Sequence, residues 1–296
     1  MYNNNGATVG GTFQSSGLDG EFNPDPFDQK TVADFGGTDA IPQGQMDLFA
    51  KNFKYPQVIR TSFGVDHKLP FWGLIASAEF IYTKTLNNVF YEEVNIAPPT
   101  ERFGGTPDNR YIFTNGRIDS NYTAVYLGSN TSQGNTANYT LSLQKPFDNG
   151  LTASLSYNYG TATSVFEGTS SQNSSQWRGV YAINGRNNAT VGTSDFSAGS
   201  RILAAVSYRK EYAGFMASTF SMFYNGQSGS PFSYTYNSGR WTGENSRERA
   251  LIYVPAYSSE IVFDESDRSA AAQWTDLDAY LSNDPYLKNK RGQYAD

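Results

Sequence analysis

The chain has 296 residues, a formal net charge of -6, no Cys, a single His and 15% aromatic residues, with Phe and Tyr far outnumbering Trp. The lack of Cys excludes a disulfide scaffold, a Cys-ligated zinc site and a thiol nucleophile, and scattered Lys and Arg on an acidic chain leave no basic face, so nucleic acid is not an expected partner. No run approaches the ~18 apolar residues of a membrane helix, whereas barrel strands alternate and never produce such runs.

Hydrophobic residues make up 38% of the chain, below the ~45–50% of ordinary soluble domains. Gly, Ser, Thr and Asn are plentiful, a mix that favours strands and polar loops over helices. Residues Met1 to Gly11 lack the basic and apolar regions of a secretory signal.

Residues 1–56 are turn-rich, show no clear strands, and are read as a loop-rich outer segment. From Gln57 to Asp66 the chain alternates, with Ile59, Phe63 and Val65 against Arg60, Ser62 and Asp66. After a link from His67 to Trp72, the returning segment Gly73 to Thr83 places Leu74, Ala76, Ala78, Phe80 and Tyr82 on one face. A second hairpin sets Tyr139, Leu141 and Leu143 against Asn138, Thr140, Ser142 and Gln144. It turns at Pro146 to Gly150 and returns with Leu151, Ala153, Leu155, Tyr157 and Tyr159 against Thr152, Ser154, Ser156 and Asn158. A third joins Arg201 to Arg209 with Phe215 to Asn225, with Ile202, Ala204, Val206 and Tyr208 opposite Arg201, Ser207 and Arg209. Beyond it, Ser269 to Leu281 has helical spacing, with Trp274, Leu277, Tyr280 and Leu281 on one side.

Each expected strand is about ten residues, the length a tilted strand needs to cross a bilayer, against five or six in soluble sheets. The three hairpin turns are short, while Lys84 to Thr136, Thr161 to Gly199 and the chain from Gly226 onward are long and polar. Outer-membrane barrels show this asymmetry, with tight turns on the periplasmic side and long loops outside. Strand parity places Tyr122 to Leu127 in the outer loop region, since a further crossing there would put the Asp148 turn on the long-loop side. Phe71, Trp72, Phe147 and Phe215 fall at the tight turns, where an interfacial aromatic girdle would lie.

These patterns predict an all-β fold: part of an antiparallel transmembrane β-barrel, with residues 57–225 forming hairpins and long extracellular loops and residues 226–296 an extracellular loop region with a short helix. Thr140, Ser142, Gln144, Ser154, Ser156, Asn158, Ser207 and Arg209 would then face the lumen, because their polarity is costly against lipid. The loop aromatics Trp177, Tyr181, Phe232, Tyr234, Tyr236 and Trp241 are candidates for a surface that binds sugar or peptide; packing of the loops against one another is an equally good reading. A soluble β-sandwich remains the alternative fold, since its strands also alternate.

Catalysis has little to stand on. His67 is the only His, and no nucleophile elbow, HExxH helix or phosphate loop accompanies it. Glu260, Asp264, Glu265 and Asp267 lack the Gly-punctuated spacing of a calcium loop and read as a solvated face. No enzyme activity, cofactor or metal is expected.

The segments SFGVDHKLPFWGLIASAEFIYTKTLNNVFYEEVN, YLGSNTSQGNTANYTLSLQKPFDNGLTASLSYNYGTATS, STFSMFYNGQSGSPFSYTYN, LIYVP and YLKNKRGQYAD occur here in that order. Together, from Gln57 onward, they resemble the carboxyl-terminal barrel of TonB-dependent receptors of the Bacteroidetes Oar-like type. The resemblance implies a barrel of about 22 strands with a plug domain, in the cell outer membrane, that takes up a scarce nutrient when TonB acts on the plug. On that reading the chain is a piece of the receptor, the plug lies outside it, and the partners are outer-membrane lipid, the TonB complex and a surface lipoprotein. A passive barrel or adhesin without energy coupling, and a soluble secreted glycan-binding β domain, are the rival functions.

Overall fold

The computed structural model describes residues 25, 27, 44–237, 242–244 and 247–295. In chain order, β1 (Gly44–Phe49), β2 (Gln57–Lys68) and β3 (Ile75–Glu93) precede a short pair, β4 (Glu101–Arg102) and β5 (Tyr111–Ile112). Then come β6 (Tyr122–Thr131), β7 (Asn135–Pro146), β8 (Leu151–Ser164), the short β9 (Tyr181–Ala182) and β10 (Gly192–Thr193), β11 (Gly199–Tyr212) and β12 (Met216–Gln227). With 47% of the described residues in strands and few helices, the fold is all-β.

Its frame is an antiparallel sheet in the order β2-β3-β7-β8-β11-β12. The three hairpins are those expected from period-two alternation, except that β2 runs on through His67 and Lys68, which the alternation places in the link. All three tight turns lie at one end of the sheet and the long connections at the other. The sheet is open rather than closed into a barrel: β2 pairs only with β3, and β12 only with β11, among the described residues.

The turn between β7 and β8 shows why the hairpins close where they do. Gly150 has φ 83°, and a Cβ at that position would sit 2.2 Å from the Arg209 carbonyl oxygen. Asn149 Oδ1 accepts the Leu151 N–H at 3.2 Å, and the Arg209 N–H donates to the Gly150 carbonyl at 2.9 Å, tying the turn to β11. Gly150→Ala is therefore expected to cost about 1–3 kcal/mol, from left-handed backbone strain plus a backbone clash. Chemical denaturation checks this; a change under about 0.5 kcal/mol, as at an ordinary surface site, would contradict it.

The long-connection end carries structure that alternation did not reveal. β3 runs past the frame, and its last six residues pair with β6 from Asn88↔Thr131 to Glu93↔Tyr126. Tyr122 to Leu127 is thus a strand rather than a loop. It lies at the long-connection end, where parity puts it, because β6 and β7 run in the same direction along β3 and add no further crossing. The expectation that residues 1–56 hold no strand fails at Gly44–Phe49, which pairs in parallel with β6. A parallel partner far away in sequence leaves no hairpin signal to read.

Above the sheet the outer segments form a layer with its own cores. β13 (Arg249–Ala250) pairs with β9, and β14 (Tyr253–Val254) with β15 (Gln293–Tyr294). The helix Ala270–Asn283 starts at Ser269, whose hydroxyl caps the Ala272 N–H. It packs Leu281 and Leu277 against Val254, Leu287 and Ala295.

Candidate functional site

The first candidate surface is the frame itself, because register sorts its side chains into two unlike faces. In an antiparallel pair directly opposed residues share a face. Phe63, Phe80, Tyr139 and Tyr159 form one row; Val65, Ala78, Leu141, Tyr157 and Ile202 the next; Ala76, Leu143, Leu155, Ala204 and Tyr224 a third. The face is bare: Leu141 is 57% exposed and Phe220 70%. A contiguous apolar area of this kind marks an interaction surface.

The opposite face is mostly polar, with Ile75, Ile81, Leu203 and Phe223 among its large apolar members. Thr140 pairs with Asn158, Ser142 with Ser156, Gln144 with Ser154, Thr152 with Ser207, and Arg209 with Thr219. All eight residues proposed for the lumen therefore lie on one face. Some interact directly: Thr140 Oγ1 donates to Asn158 Oδ1 at 2.9 Å, and the Ser207 and Ser221 hydroxyls bond at 2.9 Å.

Charge follows the same division. The acidic side chains of the frame, Asp66, Glu79 and Glu211, are on the polar face, while the apolar face carries Lys84 toward the outer layer and His67, Lys145 and Lys210 toward the tight turns.

The second candidate is a cleft of about 840 Å³ in the outer layer. On one side Tyr234 stacks on Tyr286 with ring centroids 6.1 Å apart and 9° between planes, and Phe232 meets Tyr234 edge-on at 5.2 Å. On the other, the Arg249 guanidinium lies 5.3 Å from the Tyr181 ring centroid. Two cleft carboxylates are already engaged. Asp284 accepts from Tyr234 Oη and from the Tyr286 and Leu287 N–H groups; Glu167 accepts from Ser164 and Ser194. Asp195 and Ser230 line both this cleft and a groove of about 560 Å³ over Asn138, Asn158 and Arg201, which joins the outer layer to the polar face.

The six loop aromatics separate. Tyr181, Phe232 and Tyr234 line the cleft. Trp177 does not: it is fully buried, its Nε1 donating to Asn187 Oδ1 at 2.8 Å and its ring 5.7 Å from that of Tyr126. Tyr236 is partly buried, 5.1 Å from the Arg110 guanidinium. Trp241 lies outside the described residues. Reasoning from sequence missed Tyr286, which directly precedes the 3-10 turn Leu287–Asn289 and adds the stacking partner. The carboxylates from Glu260 to Asp267 do not converge: Glu260 accepts from Tyr253 and Ala256, and Asp264 caps Ser266.

Buried ion pairs hold the layer. Arg110 bonds Asp108 at 2.8 Å and the Leu251 carbonyl at 2.8 Å. Arg186 lies 3.7 Å from Glu244, whose other oxygen accepts the Arg186 N–H at 2.8 Å. Burial pushes the Glu244 carboxyl up to about 7, with Arg186 pulling the other way. The unfolded value is about 4.3, so this group favours folding at low pH, where it is protonated in both states. That contribution disappears as pH climbs through about 7. The outer layer should therefore unfold less readily at pH 5 than at pH 8 by hydrogen exchange, and Glu244→Gln should flatten the difference. An unaltered pH profile in the variant would show that other groups set it.

Comparison with protein-family models, with curated proteins and with solved structures found no match to this chain.

Proposed function

We propose that the frame is part of the wall of an outer-membrane β-barrel. Within that class, we read the chain as part of a TonB-dependent receptor that takes up a scarce nutrient. The observation that carries the first step is the bare apolar face backed by a polar one, over six neighbouring strands. A soluble sandwich would cover such a face with a second sheet, and among the described residues none lies over it.

Dimensions agree. Lys84 faces Asn135 across β3 and β7, and Lys145 is the next charged residue on this face along β7, ten positions on. Ten residues span about 34 Å along a strand, or about 25 Å of height at the usual barrel tilt, which is the thickness of a barrel's apolar band. The open edges of β2 and β12 would pair with further strands of the same barrel, and the polar face would look onto a plug or a watery lumen. The aromatic cleft and the groove below it would admit a solute from outside.

The receptor step rests on the segment resemblance, with a plug domain, TonB and a surface lipoprotein as partners. No catalytic role is part of this reading. The test uses the full-length product: it should fractionate with the outer membrane, migrate differently on gels with and without boiling, and support uptake that stops when TonB is deleted. TonB-independent permeation would leave a passive barrel or adhesin, and soluble, unshifted protein would overturn both steps.

A further inference from the structure

The apolar face ends, on the tight-turn side, in a rim of unlike chemistry. Lys145 is on this face opposite Ala153, and Lys210 on the same face opposite Ser218. Aromatic side chains flank them: the Lys145 ammonium lies 4.6 Å from the Phe147 ring centroid and donates to the Trp72 carbonyl, while Trp72 and Phe215 stand exposed at the neighbouring turns. Asp66 and Glu211 point to the other face, and Glu211 is already paired with Arg209 at 3.1 Å. Asp148, in the turn beyond the band, is the acid nearest in sequence to Lys145.

We infer that Lys145 and Lys210, set among Trp72, Phe147 and Phe215, form a binding rim for the phosphates of anionic phospholipid in the leaflet on the tight-turn side; this rests on the membrane reading above. An alkyl stem can lie along the apolar band while its ammonium reaches the headgroup plane. The aromatic rings sit at the same depth because their bodies are apolar and their polar tips are wet. Phosphate is the complementary partner, since the ends of this face carry cations and no carboxylate.

The chain's net charge of -6 makes the test sharp. If total charge governed lipid preference, anionic vesicles would bind the chain less well than neutral ones. The inference expects the opposite for partition of the full chain into vesicles of phosphatidylcholine mixed with phosphatidylglycerol, compared with phosphatidylcholine alone. Each of Lys145→Gln and Lys210→Gln should reduce the anionic preference about fivefold, Arg at either position should restore it, and molar salt should remove it. Lys68→Gln, the same charge loss at the same end but on the polar face, should leave it intact. Equal or weaker binding to anionic vesicles, or an equal effect of Lys68→Gln, would overturn the rim while leaving the membrane reading standing. Failure to partition into either vesicle would overturn both.

Discussion

Leu141→Arg is expected to destabilise the membrane-inserted protein by about 2–4 kcal/mol, and Leu151→Arg by about 0–1 kcal/mol. Leu141 is near the middle of the apolar band, in the row of Val65, Ala78, Tyr157 and Ile202, whereas Leu151 is in the last apolar row before the tight turns, with Tyr208 and Phe220. A guanidinium at mid-depth must either leave its water or drag water and headgroups inward; near the rim it reaches the interface by extending its stem. The gradient is the informative quantity. If the same face met water, both changes would fall within about ±0.5 kcal/mol. If it packed under protein, both would be costly without regard to distance from the turns. Reversible unfolding from lipid vesicles gives the numbers, and Thr140→Arg on the polar face provides the reference.

Trp177→Ala is expected to cost the outer layer about 3–5 kcal/mol, the range for removing a large buried ring. Trp177 is fully buried beneath Tyr126, with the Arg186 guanidinium 4.8 Å from its ring centroid. Its indole N–H shares Asn187 Oδ1 with the backbone N–H of Glu93, and Asn187 Nδ2 returns a bond to the Glu93 carbonyl at 3.0 Å. Losing the ring would leave a cavity under β6 and free Asn187, which positions the end of β3. Hydrogen exchange reads this locally: the amides of Asn95 and Val125, both donating to Glu93 Oε1 at 3.0 Å, should lose protection while those of β7 and β8 keep theirs. Unchanged protection at Asn95 and Val125 would mean that Trp177 is not the keystone of the layer. Phe232→Ala, at a residue 73% exposed in the cleft, should leave stability nearly untouched.

The frame was legible in the sequence because two local signals agreed there. Alternation over Gln57 to Asp66, Asn138 to Gln144 and Arg201 to Arg209 fixed the faces, and turn residues such as Asn149 and Gly150 fixed the register. The eight lumen candidates fell on one face for that reason. The outer layer gave no such signals. Gly44–Phe49 finds its partner more than seventy residues away and in parallel, a pairing no local pattern announces. Trp177 and Phe232 look alike as loop aromatics among polar residues, and only the tertiary arrangement makes one a core residue and the other a cleft wall. Arg110 and Arg186 carry no local signal of burial, yet both are buried because Asp108 and Glu244 come to meet them. The side of the sheet that carries the structural account was thus written in the sequence; the site that would select a solute was not.

The most direct test of the central claim exploits a chain that contains no Cys. Single cysteines from Asn138 to Gln144, spin-labelled in a background free of other cysteines and placed in bilayers, can be scored for contact with lipid-soluble oxygen and with a water-soluble nickel complex. Positions 139, 141 and 143 should favour oxygen and positions 138, 140, 142 and 144 the aqueous reagent, repeating with a period of two. Labels at 139, 141 and 143 that meet the nickel complex as freely as their neighbours, or neither reagent, would mean that this face does not look onto lipid.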